Sequence, residues 1–224
     1  MIEYKKDGGI HIVTMNDGAN TICPNWHIRM LEILDIVEQD CGQGTALVLT
    51  GVDKHFNTGV NLEVVSQLKE QDIRLFGARM VEIFRRYILL PCPTVAALNG
   101  HAFAGGAVLA MSCDFRLMRE DRGWICISEV DVGVPILPAV MGILRGKLPA
   151  NTARDALLTG RRYAADDAIA AGFADGKASG DSLLDEATTL ATNLSTKERG
   201  IFKSLKQDWF GEMGEALRLA ALAM

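Results

Sequence analysis

Asn99-Gly100-His101-Ala102-Phe103-Ala104-Gly105-Gly106-Ala107 follows an apolar run, Thr94 to Leu98, and leads into a weakly polar stretch that ends at Cys113. Local patterning reads this as a strand, a Gly-rich turn and a helix from Ala104 to about Met111. A second Gly-containing turn, from Thr50-Gly51 through Asn57-Thr58-Gly59-Val60-Asn61-Leu62, follows another strand candidate, Thr45 to Thr50. Small residues let a ligand approach the backbone N–H groups of both turns. At the 99–107 turn the amides also open a helix whose positive end favours an anion. Two such turns would make an oxyanion hole, although the same glycines also serve tight turns and close helix packing.

Outward from these turns the chain alternates. Ile10 to Met15 reads as a strand, and Pro24 and Asn25 start a helix with Trp26, Met30, Ile33, Leu34 and Val37 on one face. Ile73, Phe76, Met80, Ile83, Phe84 and Tyr87 mark a second amphipathic helix, stopped before Pro91-Cys92-Pro93. Strands are expected at Asp114 to Met118 and Trp124 to Ile127, and helices at Ala153 to Thr159 and Asp166 to Ala171. The last third reads as helical, with a stripe from Leu183 to Leu194 and a short final helix over Ala216 to Ala223. The pattern predicts an α/β core over 1–175 and a C-terminal helical region over 176–224, with strand-strand-helix units hidden in the core.

Composition narrows the function classes. The 224 residues are 49% hydrophobic, enough for a substantial core, and carry 23 basic against 28 acidic residues, net −5. That balance argues against nucleic acid as a partner. The longest weakly polar run, Ala102 to Cys113, is too short to cross a bilayer, and Met1 to Ile10 carries four charged residues and no apolar signal region. No membrane association and a cytoplasmic location are therefore expected. Five scattered cysteines without a CxxC pair predict reduced, mostly buried thiols, and four histidines without metal-ligand spacing predict no metal. Walker-type and dinucleotide Gly patterns are missing, as is a GxSxG nucleophile turn.

The motifs resemble those of the crotonase (enoyl-CoA hydratase/isomerase) superfamily. The first turn is similar to its pattern of strand, Thr-Gly, Phe, two small residues, Gly, any residue, an acidic or amide residue and Leu; the second resembles its Asn-Gly-x-Ala-x-x-Gly-Gly segment. Met111-Ser112-Cys113-Asp114-Phe115-Arg116 is similar to the Cys-Asp-x-Arg strand that follows. Leu158-Thr159-Gly160 through Ala171-Gly172-Phe173 is similar to a later helix-turn signature. These motifs span about residues 45 to 175, with weaker similarity over Met15 to Ile22.

The resemblance implies a spiral of strand-strand-helix units that binds an acyl-coenzyme A thioester, with no separate cofactor because coenzyme A is part of the substrate. It implies that the peptide N–H groups of Thr58 and Gly105 hold the thioester oxygen as it gains enolate charge, that Glu129 is the base, and that Asn57, Asn61, Leu62 and Val108 contact substrate. Hydratases of the superfamily carry a second glutamate at the position of Val108, where valine cannot hold a proton. A lone glutamate can still carry a proton from C2 to C4, which matches Δ3,Δ2-enoyl-CoA isomerases, and Met118 to Gly133 and Asn99 to Ala102 resemble their plant peroxisomal type. No Ser-Lys-Leu peroxisomal signal closes this chain. Hydration with Asp131 as an irregular partner, thioester hydrolysis and non-catalytic acyl-CoA binding are the competing readings.

Other residues read more plainly. Asp131, placed in an extended segment, is expected to cap or brace a turn; His101 to be packed; Asp114 to anchor a turn; Cys113 and Cys126 to be small core residues. Lys203 and Lys206 are possible phosphate partners but read better as solvated lysines. The resemblance also implies homotrimers or pairs of trimers.

Overall fold

The computed structural model describes residues 1–224. Strand β1 (Ile2–Asp7) lies antiparallel to β2 (Ile10–Met15); β3 (Ala46–Gly51), β5 (Thr94–Leu98), β7 (Phe115–Arg119) and β9 (Gly176–Ala178) extend the sheet in parallel, in the order β1-β2-β3-β5-β7-β9. A second sheet holds only β4 (His55–Asn57), β6 (His101–Phe103) and β8 (Ile125–Cys126), again parallel.

The two sheets share one repeating unit. A strand of the large sheet is followed by a strand of the small one and then by helix: β3, β4, then α2 (Leu62–Ser66) and α3 (Glu70–Leu89); β5, β6, then α4 (Gly105–Ser112); β7, β8, then α5 (Glu129–Val132). This is the α/β crotonase-like spiral, and the hidden units are these three. Helix α1 (Pro24–Asp40) joins β2 to β3, and α6 (Pro138–Lys147), α7 (Ala150–Thr159), α8 (Ala165–Ala171), α9 (Leu183–Ser195) and α10 (Arg199–Leu222) complete the chain.

All six residues of β3 are buried because both faces of the parallel sheet are covered. Alternation sends Ala46 and Val48, with Val95 and Ala97 of β5, toward Ala187 and Ala191 of α9. Leu47, Leu49, Ala96 and Leu98 face the main core with Met30 and Leu34 of α1 and Ile83 and Phe84 of α3. The division at residue 175 falls just before β9, which is hydrogen-bonded to β7, so the C-terminal region contains a strand as well as helices.

Three expectations are corrected. The last helix begins at Arg199 rather than near Ala216; Ile201, Leu205 and Trp209 are exposed on it while Lys206 is buried, which inverts the amphipathic pattern. Lys206 is neither solvated nor open to a phosphate: its Nζ lies 2.8 Å from Asp114 Oδ2. Finally, Glu129 and Asp131 lie on the helical turn α5, not on an extended segment. Asp114 anchors a turn as expected, accepting from Thr94 N at 2.9 Å and Thr94 Oγ1 at 3.0 Å. No helix is long and apolar enough to cross a membrane.

Candidate active site

Three loops leave the same edge of the small sheet. Thr58 directly follows β4, Gly105 opens α4 after β6, and Glu129 opens α5 after β8. Pairing of His55 with His101 and of Ala102 with Ile125 aligns the strands, so the three loops converge. The first two pack without room for a side chain: a Cβ on Gly59 (φ +86°) would lie 3.0 Å from Phe103 O and 3.1 Å from Gly105 N, and one on Gly106 would overlap Asn57 O. The glycines thus serve close packing and bring the peptides of Thr58 and Gly105 beside one another.

The peptide at Gly105 is set by its predecessor. Ala104 adopts φ 50°, ψ −125°, a region that favours glycine, and such a strained residue costs about 1–3 kcal/mol. Gly105 is the first residue of α4, and a first-turn amide has no acceptor within its own helix.

The peptide at Thr58 differs from expectation. Its N–H donates to Ala19 O at 3.2 Å, and its hydroxyl donates to the same oxygen at 3.0 Å. The loop carrying Ala19 is pinned by Asn20 (φ +53°), whose Nδ2 donates to His55 O at 2.9 Å while its Oδ1 accepts from Asp17 N at 2.7 Å. Asn99 grips the same turn, accepting from Gly51 N at 2.9 Å and donating to His55 O at 3.2 Å.

Thr58, Leu62, Gly105, Val108 and Glu129 line one cavity of about 160 Å³, walled further by Met80 and Phe84 of α3. The sequence signalled those last two only as part of an apolar helical stripe. Glu129 Oε2 is buried and has no hydrogen-bond partner, and burial raises its carboxyl pKa above the ordinary 4.5. Val108, 1% exposed, lines the same cavity without a polar atom on its side chain.

Asn57 and Asn61 are not among the residues that line this cavity. Asn57 is buried, accepting from Gly59 N at 2.8 Å and donating to Met15 Sδ at 3.6 Å. Asn61 caps α2 through Val64 N at 3.0 Å and donates to Thr21 Oγ1 at 3.3 Å. Both hold the loops that shape the site. Asp131, two residues past Glu129 on a helical turn, presents its carboxyl to Gly160, where a Cβ would collide with it.

His101 is packed among His55, Phe103 and Trp124, with ring centroids 5.6, 5.1 and 4.9 Å away. Burial pushes the Cys113 thiol up to about 12 and the Cys126 thiol up to about 11, the state of core residues rather than nucleophiles.

The architecture is that of the crotonase superfamily. The family model described as "Enoyl-CoA hydratase/isomerase" matches residues 5–219. The chain is 30% identical to the peroxisomal enoyl-CoA delta isomerase 2 of Arabidopsis thaliana, covering 99% of this chain and 98% of that protein. It is 34% identical to a putative enoyl-CoA hydratase of Thermus thermophilus, covering 100% and 90%. A solved enoyl-CoA hydratase from Mycobacterium ulcerans superposes with a TM-score of 0.92 at 26% identity, over 98% of this chain and 96% of that one. The chain belongs to the enoyl-CoA hydratase/isomerase family.

Proposed function

We propose that this protein is a Δ3,Δ2-enoyl-CoA isomerase acting through one carboxylate. The observation that carries the reading is the cavity itself: Glu129 is the one carboxylate that lines it, and Val108, at the position where the resemblance implies a second glutamate in hydratases, lines it with an apolar side chain. The thioester oxygen is received by the first-turn Gly105 N–H, and by the Thr58 N–H once that exchanges its bond to Ala19 for the substrate. Glu129 removes a proton from C2, giving a dienolate whose negative charge is held at the thioester oxygen. The same carboxyl then returns the proton to C4, so that the double bond moves from C3–C4 to C2–C3. Losing one such oxyanion donor typically costs about 3–4 kcal/mol of transition-state stabilisation.

The raised pKa of Glu129 supports this role, because burial moves the base upward from the ordinary carboxylate range toward the pH of work, which favours returning the proton as well as taking it. Asp131, turned to Gly160, offers no second catalytic group for water addition. The exposed Ile201, Leu205 and Trp209 on α10 support the trimeric assembly, for which sedimentation is the direct check.

Separate incubation with 3-enoyl-CoA and 2-enoyl-CoA tests the proposal. Isomerisation of the first, with far slower hydration of the second, is the expected result. Comparable rates on both substrates would overturn it in favour of a hydratase, and inertness toward both would leave an acyl-CoA-binding protein.

A further inference from the structure

Glu129 belongs to two cavities. Beyond the one shared with Gly105 lies a larger space of about 880 Å³ between α5, α6 and α7, reached past Val134, Pro135 and Ile136, which line both. Its inner wall is apolar, with Met141 of α6 and Leu157 of α7, and no acidic side chain other than Glu129 lines it.

Two arginines line this space, Arg145 in the last turn of α6 and Arg154 on α7. Neither guanidinium has a carboxylate within ion-pair distance or any hydrogen-bond partner. The nearby Asp155 is occupied instead by Tyr163, at 2.6 Å, and by Arg161, at 3.6 Å. A purely hydrocarbon tail would fill the apolar part and leave both guanidiniums unused. A guanidinium fork matches a carboxylate by paired N–H donors, and each of these two exposed, unpaired arginines on the rim of the same cavity offers such a fork.

We infer that the larger cavity takes an acyl chain ending in a carboxylate, with Arg145 and Arg154 holding the terminal carboxylate while Glu129 works on C2 and C4. The substrate class is thus an ω-carboxy-3-enoyl-CoA, and the inference rests on the isomerase reading of the same site.

The test compares 3-enoyl-CoA and ω-carboxy-3-enoyl-CoA of equal carbon number, using the full-length protein. Wild type is expected to prefer the carboxylated substrate by at least about tenfold in kcat/KM, chiefly through KM, with a preference that weakens as salt rises. Arg145→Leu and Arg154→Leu should each shrink that ratio several-fold, and Arg145→Lys should restore part of it. Equal kcat/KM for the two substrates in wild type, or a ratio unmoved by both leucine variants, would overturn the inference while leaving isomerisation intact. If neither substrate is isomerised, the isomerase reading falls. Calorimetric binding of ω-carboxyacyl-CoA against plain acyl-CoA then decides the carboxylate site by the same ratio.

Discussion

The carbonyl oxygen of Ala19 accepts both the N–H and the hydroxyl of Thr58, at 3.2 and 3.0 Å. One of these donors is the peptide assigned to the thioester, so substrate and Ala19 compete for it. The hydroxyl bond does not compete and ties the loop down. Thr58→Ala therefore keeps the donor and loses the tie. It is expected to cost about 1 kcal/mol of stability and to change turnover of 3-enoyl-CoA by less than about tenfold, against the 10²–10³ typical of a lost oxyanion donor. Thermal melts and kcat check both; a fall of several hundredfold would put the hydroxyl, not the peptide, on the substrate.

Glu129→Gln fills nearly the same volume without a proton acceptor. Isomerisation should fall by about 10²–10⁴-fold, while acyl-CoA binding measured by calorimetry stays close to wild type. Near-normal turnover would remove Glu129 from the mechanism.

The pH dependence follows from the burial of the same group. Its folded pKa lies above 4.5, so the rate should fall as acid protonates the base, with a midpoint above that value in kcat/KM. Stability moves the other way. The folded chain holds this proton more tightly than the unfolded one, so the contribution is full below the unfolded pKa and is lost as pH rises through the folded pKa. Glu129→Gln should consequently raise Tm at neutral pH, with a gain that shrinks toward about pH 4. A Tm difference independent of pH would contradict the burial argument.

Val108→Glu adds a second carboxyl to the cavity that Glu129 lines. Hydration of 2-enoyl-CoA should rise above the wild-type level, and the fold should lose about 1–3 kcal/mol because the new group is buried without partners. Unchanged hydration in a variant that melts cooperatively would show that valine is not what withholds water addition.

Asp131 and Gly160 form a structural pair. Gly160 ends α7 at φ +61° with its Cα against the Asp131 carboxyl, so Gly160→Ala should destabilise by more than about 1 kcal/mol through both strain and overlap. Asp131→Asn should leave isomerisation within about threefold, since truncating no reacting group costs little. A loss comparable to that of Glu129→Gln would restore Asp131 as a catalytic acid.

Long elements were legible because their patterns extend over many residues: the strand at Ile10–Met15 and that at Thr94–Leu98 match the sequence reading end for end. β4 and β6, three residues each, carry no detectable period, and of the small sheet only β8 falls within a strand read from the sequence, Trp124 to Ile127, yet these three strands are what aligns the site. Gly105, Val108 and Glu129 were accessible through motif resemblance. The bond from Thr58 to Ala19 was not, because it joins residues 39 apart through a loop whose local signs are Gly18 and Asn20 at positive φ. Lys206 misled for the opposite reason: a lysine in a helix reads as solvated, and the tertiary approach of Asp114 and of the Tyr87 carbonyl makes its burial tolerable.

Each of the three positions that meet at the cavity sits at the exit of the short second strand in a successive copy of the same unit. Their spacing is therefore written in the ladder of the small sheet, while the wall that would receive the far end of an acyl chain hangs from the third copy alone, in the segment from Gly133 to Leu158. Exposed positions of that segment, Arg145, Arg154 and Leu158 among them, can change and alter what is selected, while the buried Val140, Ile143 and Leu144 keep α6 packed on α4 and the donors in place. The fold thus keeps reaction chemistry and substrate choice on separately mutable parts, a division that would let one scaffold drift among related acyl substrates at little cost to catalysis.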